Sequence, residues 1–479
     1  MPTLVCVPIM VDDPAAARAD AQSAKDAGAD IVELRIDSYF PGSEGDAEDT
    51  LRIETLRSLI ADCPLPVILT CRSADEGGDY DGDESDRVSL LEKLCVNVEH
   101  PPAYLDFELA AYQRSANIRQ KINLCVDHPK QQRDVRTRLI LSMHDFDQRP
   151  SDLMRRLADA WAEPAASVVK FAYRCRSIRD NLEIFEILRD APKPTIGLGM
   201  GEFGLMSRVL APKFGGFLTF ASLRDSAATA PGQPTISDLL GMYRIRSIGK
   251  DTSVYGVIGW PVTQSMSPLI HNAGFEARGW DGVYLPMPVP DSDEAFKATV
   301  LALIDDRELG FSGASVTIPH KLRLDRFAKE NKIGSIGPWR SWNTLLRAED
   351  EHEPWMADNT DQYGVLYPLT DRGIQLAESD VVAIVGAGGV AETAAKVASI
   401  YLSDHTDLFA RRAEQAEDLA DFLRSAKKVR VQMDLDSEEV VGHSPSGDPI
   451  RRLQAAGEPE ERQVNVRTRS IDELADSNA

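Results

Sequence analysis

The chain has 479 residues, enough for about three domains, one of which can be a barrel of about 250 residues. Its 53 Lys and Arg against 76 Asp and Glu give a formal net charge of −23, which argues against nonspecific binding to nucleic acid or anionic membranes. No apolar stretch reaches the roughly 18 residues of a membrane span, and the six scattered cysteines lack metal-ligand spacing. We therefore expect a cytoplasmic protein with no nucleic-acid partner, no membrane contact and no metal, whose oligomeric state the sequence does not indicate.

Eight short β-rich segments recur along residues 1–235, and several are continuous apolar runs, as expected of strands buried on both faces of a parallel sheet. Helix-like stretches lie between most of them. The predicted strands are 4–10, 30–37, 66–72, 103–109, 138–144, 167–173, 194–199 and 217–222. Eight such strand–helix units in about 235 residues predict an α/β fold that begins with a (β/α)8 TIM barrel.

Chemistry in such a barrel lies at the C-terminal ends of the strands. Six of the predicted strands end in, or are followed by, polar candidates. These are Glu33, Arg35, Arg72, His144, Lys170, Arg208 and Gln233.

Lys170 is the most informative of these residues because it lies inside the apolar run Ser-Val-Val-Lys-Phe-Ala. Burial there disfavours the charged form of the amine, and a neutral amine can form a Schiff base with a ketone. His144, one strand away, can act as the base, and Glu76 on the loop that follows the third strand can orient it. A lysine that extends to the barrel rim beside a structural histidine is the alternative interpretation.

Six blocks of this half resemble the type I 3-dehydroquinate dehydratases: ELRID, TCRSADEGG, LSMHDF, VVKFA, GMGEFGLMSR and TAPGQ. The resemblance implies a lyase that converts 3-dehydroquinate to 3-dehydroshikimate, with Lys170 as the imine lysine and His144 as the general acid/base. It also implies that Arg208 binds the substrate carboxylate. The other pocket positions it implies are Glu33, Arg35, Arg72, Glu76, Thr229 and Gln233.

A second set of motifs begins at Val254. Ser265 and Ser267 precede a predicted helix, where hydroxyls and backbone N–H groups favour a small carboxylate, although an N-cap is the usual role of such serines. Lys321 ends the block GASVTIPHK, and Asp361 lies in ADNTDQYG. A lysine and an aspartate that meet across a pocket form a plausible proton-transfer pair.

Residues 380–391 predict a strand that runs into a dinucleotide-binding glycine loop with a helix after it. The cofactor candidates on the loop are Gly386, Ala387, Gly388, Gly389, Val390 and Ala391. The next strand ends in Arg411 and Arg412 instead of an acid, which favours the 2′-phosphate of NADP over NAD.

These blocks resemble shikimate dehydrogenase, which reduces 3-dehydroshikimate to shikimate with NADPH. The resemblance assigns substrate binding to Ser265, Ser267, Thr317 and Asn343, and proton transfer to Lys321 and Asp361. The expected partners are therefore the small molecules 3-dehydroquinate, 3-dehydroshikimate and shikimate. The dehydratase-then-dehydrogenase order is that of the bifunctional enzyme best known from plants.

The resemblance stops after 427–433, which we interpret as a third strand of the nucleotide domain. The polar residues that follow favour a disordered or loosely packed tail. The predicted domains are a barrel at 1–236, a linker at 237–252, a substrate domain at 253–372, a Rossmann half at 373–433 and the tail at 434–479. Three interpretations stay open: a dehydrogenase truncated or weakened at its end, a tail that folds in a way the sequence does not reveal, or a noncatalytic binding or regulatory module fused to an active dehydratase.

Overall fold

The computed structural model of the chain forms two compact units. One contains Met1–Tyr255, Thr263–Val289 and Thr299–Phe311, and the other contains Gly256–Val262, Pro290–Ala298 and Ser312–Ala479. The structure describes residues 2–40, 46–96, 98–130, 135–227, 229, 232–335, 340–348, 355–370, 380–399, 403, 405–425, 430–443, 449–460 and 465–470. None of the helices in these ranges is long and apolar enough to cross a membrane.

All eight strands predicted for the first half are present and form one parallel sheet in the order β7-β6-β5-β4-β3-β2-β1-β8. The edges β7 and β8 meet where the Phe217 N–H donates to the Thr195 carbonyl at 2.9 Å, so the barrel is nearly closed. The strands are β1 Leu4–Met10, β2 Ile31–Arg35, β3 Val67–Thr70, β4 Tyr104–Glu108, β5 Arg138–Asp145, β6 Ala166–Arg174, β7 Thr195–Met200 and β8 Leu218–Phe220.

Helices alternate with these strands, as the (β/α)8 prediction requires. The side chain of Asp13 caps the first helix by accepting from the Ala15 N–H, and Gly28 takes a φ of +96° just after its end. They are α1 Pro14–Asp26, α2 Asp46–Ala61, α3 Glu84–Cys95, α4 Leu109–Arg114, α5 Ala116–Cys125, α6 Leu153–Ala162, α7 Asp180–Asp190 and α8 Leu205–Val209.

The barrel interior is filled by alternate side chains of its strands, among them Cys6, Ile68, Ile140 and Ile196, each at most 1% exposed. Residues two apart on a strand point to the same face. The inward row that supplies this apolar core therefore continues toward the C-terminal end of each strand, where polar side chains take over.

The elements after the barrel are mixed strands and helices. Three of them, β9, α10 and β11, contain residues of both units. The elements up to the nucleotide domain are β9 Ser253–Gly259, α9 Ser267–Arg278, β10 Gly282–Pro288, α10 Asp293–Asp305, β11 Phe311–Val316, α11 Lys321–Glu330, β12 Gly334–Ser335, β13 Thr344–Arg347, β14 Trp355–Asp358 and α12 Asp361–Thr370.

In the second unit, β13 pairs antiparallel with both β11 and β14, while β12 is parallel to β14. A separate parallel sheet has the order β15-β16-β19, which is the order expected of one half of a doubly wound nucleotide-binding domain. Its elements are β15 Val381–Val385, α13 Gly389–Val397, β16 His405–Ala410, α14 Ala413–Ser425 and β19 Asn465–Ser470.

The sequence predicts 427–433 as the third strand of that sheet, but its described part, 430–433, does not belong to the sheet, and 427–429 lie outside the described residues. Residues 430–433 belong instead to β17 Arg430–His443, which pairs antiparallel with β18 Pro449–Glu460. The strand beside β16 is β19, in the region expected to be a disordered tail. Only Val466 of β19 enters the apolar core under α14, so the strand carries no continuous apolar run that would mark it in the sequence.

Candidate functional site

One cavity at the C-terminal ends of the barrel strands contains all nine residues that the sequence analysis assigned to the first activity. They are Glu33, Arg35, Arg72, Glu76, His144, Lys170, Arg208, Thr229 and Gln233. Phe146, Met200 and Phe220 also line it. The barrel thus gathers side chains that lie far apart in the sequence.

Lys170 lies within β6, opposite Ser142 of β5, and its side chain is 6% exposed. Its Nζ is 2.9 Å from Asp106 Oδ2 and 3.4 Å from Glu33 Oε1, and it lies 4.6 Å from the centre of the Phe220 ring. The structure therefore adds two buried carboxylates to the desolvated amine that the sequence predicts. A proton must leave this nitrogen before it can attack a ketone.

His144 and Glu76 are in direct contact in the wall of the cavity. Glu76 Oε2 accepts from the His144 backbone N–H at 2.9 Å and lies 3.0 Å from its Nδ1. Burial, together with the charges of Arg72 and Lys170, holds the pKa of His144 well below its usual value of 6.5. The imidazole is neutral near pH 7, and its Nε2 is left to accept a proton.

Arg208 is a buried cation that contacts no counter-ion among the described residues. It is 2% exposed, and its Nε has no hydrogen-bond partner in the same part of the chain. Burial lowers the pKa of Arg208 to about 10. Gln233 lies in the same cavity and holds Thr229 through its Oε1, and its buried Nε2 has no partner in the described ranges. Two unsatisfied donors on one cavity are suited to a ligand with acceptor oxygens.

The other two arginines of the cavity are already paired. Asp37, fully buried, holds Arg35 through two hydrogen bonds of 2.8 and 2.7 Å. Asp37 also accepts from the Asp79 N–H at 3.0 Å, which ties it to the loop that carries Glu76.

Arg72 lies between Asp106 and Glu108, at 2.8 and 3.2 Å. These two carboxylates were not among the site residues predicted from the sequence. A signal was present, because acids at alternate positions of an apolar strand must both point to one face.

In the second unit, Lys321 and Asp361 form an ion pair. They begin α11 and α12 respectively, and Asn343 Nδ2 donates to Asp361 Oδ1 at 2.8 Å. A helix N-terminus stabilises the carboxylate of Asp361 but not the ammonium of Lys321. The position of Lys321 at a helix N-terminus does not stabilise the fold, which favours a catalytic role for this lysine.

The three other predicted substrate positions are Thr317, Ser265 and Ser267. The Thr317 N–H donates to the Ile258 carbonyl at 2.9 Å, and a Cβ on Gly259 would lie 2.4 Å from its methyl group. In the first unit, Ser265 Oγ accepts from the Ser267 N–H at 3.2 Å at the start of α9. The capping role that was the alternative for these serines is therefore present for Ser265.

The glycine loop joins β15 to α13, the strand–turn–helix context that the sequence predicts. Gly386 has a φ of +130°, which favours glycine, and its N–H donates to the Phe409 carbonyl at 2.7 Å. A Cβ on Gly388 would meet nothing within 4 Å among the described residues, whereas one on Gly389 would lie 2.6 Å from Ser341 Oγ. The loop therefore leaves open space at the start of α13, where a pyrophosphate fits.

A second cavity adjoins this loop and includes Ala387, Gly388 and Gly389. Neither Arg411 nor Arg412 lines it; both are exposed at the end of β16. The remaining wall is mixed in charge. Its charged members are Asp325, Arg326, Arg340, Glu392, Glu414 and Asp418.

Arg340 and Glu392 form a pair that no pattern in the sequence indicates. The Arg340 N–H donates to Glu392 Oε1 at 3.1 Å, and the Arg340 guanidinium lies 4.1 Å from the centre of the Phe422 ring. Within the described ranges, no three His, Cys, Asp or Glu side chains are grouped so that they could hold a metal ion.

Comparisons with known proteins agree in both halves. The family model of type I 3-dehydroquinase matches residues 5–250, and that of the shikimate dehydrogenase substrate binding domain matches residues 257–333. The bifunctional 3-dehydroquinate dehydratase/shikimate dehydrogenase, chloroplastic, of Arabidopsis thaliana is 34% identical over 442 residues, which cover 87% of this chain and 67% of that protein.

Other relatives are larger or match less of the chain. The pentafunctional AROM polypeptide of Zygosaccharomyces rouxii is 29% identical over 390 residues, or 77% of this chain, but the chain spans only 22% of that polypeptide. A solved shikimate 5-dehydrogenase from Thermus thermophilus, in complex with NADP(H) and shikimate, is 27% identical. It covers 35% of this chain and 60% of its own, with a TM-score of 0.28.

Proposed function

The chain belongs to the type I 3-dehydroquinase family and continues into a shikimate dehydrogenase substrate binding domain, and from this premise we propose how its residues carry out the two reactions. It is a lyase joined to an oxidoreductase of the shikimate pathway. The barrel dehydrates 3-dehydroquinate to 3-dehydroshikimate, and the second half reduces that product to shikimate.

One observation carries the first assignment: Lys170 and His144 line the same cavity as Arg208, which contacts no carboxylate among the described residues. Arg208 receives the substrate carboxylate, for which a buried guanidinium is well suited. Lys170 condenses with the C3 ketone, and the resulting cationic imine acidifies the neighbouring C2–H. His144, neutral and held by Glu76, removes that proton and returns it to the C1 hydroxyl as it leaves as water.

The test is chemical trapping of the imine. Borohydride added with 3-dehydroquinate should fix a covalent adduct on the wild-type chain and none on Lys170→Met. Lys25→Met, which removes a lysine on α1, is the matched control and should be trapped like the wild type. An adduct that persists in Lys170→Met would place the nucleophile elsewhere.

For the second reaction we infer that Lys321 and Asp361 exchange a proton with the substrate, with Asn343 and Thr317 on its hydroxyls. NADPH, which supplies the hydride when bound, is placed at the loop Gly386–Ala391. The open space at Gly388 and the N-terminus of α13 support binding of its pyrophosphate. Arg411 and Arg412 are proposed to select the 2′-phosphate.

The four acids of the second cavity favour a second candidate, in which this half binds ligands without turnover, because they oppose an anionic cofactor. Shikimate-dependent reduction of NADP+ by the full chain decides between the two. Turnover supports the dehydrogenase, whereas calorimetric binding of shikimate without turnover supports the binding module. The predicted domain boundaries, the cytoplasmic location and the absence of a metal or nucleic-acid partner stay predictions.

A further inference from the structure

Asp106 has no role in the mechanism above. It lies at the centre of a buried row of side chains whose charges alternate in sign. Its Oδ2 lies 2.9 Å from Lys170 Nζ, and its Oδ1 lies 2.8 Å from Arg72 Nη2 and accepts from the Ser142 hydroxyl at 2.6 Å. Its side chain is fully buried and does not line the cavity. A substrate can therefore reach Lys170 without displacing this carboxylate.

On the side of Asp106 away from Lys170, the row continues through Arg72, Glu108 and Arg87. Arg72 also contacts Glu108 at 3.2 Å, and Glu108 pairs with Arg87 at 2.7 Å. Arg87 lies 4.7 Å above the Phe107 ring and donates to the Cys71 carbonyl. Each charge is held by at least one charge of the opposite sign, so the carboxylate of Asp106 keeps one orientation.

The condensation step preserves the charge that Asp106 faces. An ammonium and a ketone give an iminium and water. The bond between Nζ and the carbonyl carbon forms, the C–O bond breaks, and two of the three N–H protons leave with the oxygen. The nitrogen is therefore cationic before and after the step, and a carboxylate fixed beside it can pair with both species.

Resting on the function proposed above, we propose that Asp106 is a positioning residue that acts as counter-ion to the Lys170 iminium and keeps its nitrogen protonated. Glu33 is the other carboxylate near Nζ, but it is farther away, at 3.4 Å, and its Oε1 also accepts from the Thr70 hydroxyl. Glu33 lines the cavity, so it is free to contact substrate.

The electrostatic surroundings of Lys170 and Asp106 come from four strands and from the loop that follows β3. The charged and titratable groups are Cys6 on β1, Glu33 and Arg35 on β2, Arg72 after β3, Glu108 on β4, His144 on β5 and Glu76 on the loop. Burial alone would raise the pKa of Asp106, but Arg72, Lys170, His144 and the Ser142 hydroxyl hold it well below its usual 3.8. Asp106 is therefore an anion throughout the range in which the enzyme can be assayed.

The experiment measures the pH dependence of trapping in the full chain. Cyanoborohydride reduces a protonated imine far faster than a neutral one, so the yield of adduct with 3-dehydroquinate reports the iminium. In Asp106→Asn the pH at which trapping falls by half should move down by about one unit or more, because the opposite charge is lost. The rate constant kcat should fall more than KM rises.

Glu33→Gln is the comparison, since it removes the other carboxylate. We expect it to raise KM and to move the trapping midpoint less than Asp106→Asn does. A midpoint in Asp106→Asn equal to that of the wild type, or a larger shift in Glu33→Gln, overturns the counter-ion role.

Two other outcomes can be told apart from a failure of the counter-ion role: a variant that does not fold, and an enzyme that forms no imine. If Asp106→Asn does not fold, Ser142→Ala keeps the charge but frees the carboxylate from one hydrogen bond, and it should give a smaller downward shift; no shift overturns the inference. Wild-type enzyme that is never trapped would overturn the proposed imine chemistry itself.

Discussion

Glu76 and His144 are joined twice, because one carboxylate oxygen of Glu76 lies 2.9 Å from the backbone nitrogen of His144 and 3.0 Å from its Nδ1. The contact fixes both the position and the ring orientation of the histidine. Burial also raises the pKa of Glu76 to about 7, from an ordinary 4.5. Glu76 thus orients His144 although its burial disfavours the ionised carboxylate.

This relationship predicts a pH-dependent stability. A raised pKa in the folded state means that folding favours the protonated carboxyl, so the wild type loses stability as the pH rises from about 4.5 to about 7. Glu76→Gln lacks that loss. Its free energy of unfolding relative to wild type should increase across this window, by up to about 3 kcal/mol at a pH of about 8.

Denaturant titrations at about pH 5 and about pH 8 measure the free energy of unfolding of Glu76→Gln and of the wild type. These pH values span most of the range over which Glu76 ionises. The control is Glu276→Gln, which replaces an exposed carboxyl on α9 and keeps Glu76; its stability should follow that of the wild type at both pH values. A difference between Glu76→Gln and wild type that is the same at both pH values would contradict the raised pKa.

Arg208 predicts a conflict between stability and binding. Arg208→Met removes a buried charge that has no counter-ion in the described ranges, so the free energy of unfolding should rise by about 1–3 kcal/mol. The same change removes the carboxylate site, so kcat/KM for 3-dehydroquinate should fall by about 100-fold or more. Thermal unfolding and steady-state kinetics measure the two effects, with the exposed Arg189→Met as control. A variant that is less stable and still binds substrate would refute this role.

Two adjacent glycines of the nucleotide loop should respond differently to alanine. Gly388→Ala adds a methyl group to open space, so the fold should be unaffected while the KM for NADPH rises by about 10-fold, because the backbone can no longer approach a pyrophosphate. Gly389→Ala places its methyl group 2.6 Å from Ser341 Oγ and 3.4 Å from Lys321 Cδ, so it should also destabilise the second unit.

Melting curves and NADPH kinetics compare the two variants, and dehydratase activity is the internal control for both. Equal melting behaviour of Gly388→Ala and Gly389→Ala would contradict the close approach of Gly389 to Ser341.

Asp361→Asn should separate the two reactions. The ion pair with Lys321 is lost and the amide cannot carry the proton, so shikimate-dependent NADP+ reduction should fall by about 10²–10⁴-fold in kcat. Dehydration of 3-dehydroquinate should be unchanged. Asp305→Asn, an exposed carboxyl on α10, should leave both rates at the wild-type level. A dehydrogenase rate that survives Asp361→Asn would remove this pair from the mechanism.

The barrel could be predicted from the sequence because its strands are apolar on both faces and its helices separate them at regular intervals. Asp106 and Glu108 were missed although their alternate positions place both on one face of the strand, since their role becomes apparent only when Arg72 and Lys170 are brought alongside. Strand β19 was missed for a different reason. It is held by one buried valine and by an ion pair of Arg469 with Asp407 at 3.0 Å, and neither produces a hydrophobic period.

The distribution of paired and unpaired cations in the barrel cavity has a consequence for inhibitor chemistry. Within the described part of the chain, Arg35, Arg72 and Lys170 each already contact a carboxylate, and only Arg208 does not. A compound with a single acid group can dock on that guanidinium. A second acid group would have to compete with the protein's own carboxylates, so neutral hydroxyls are the better choice for the rest of the scaffold.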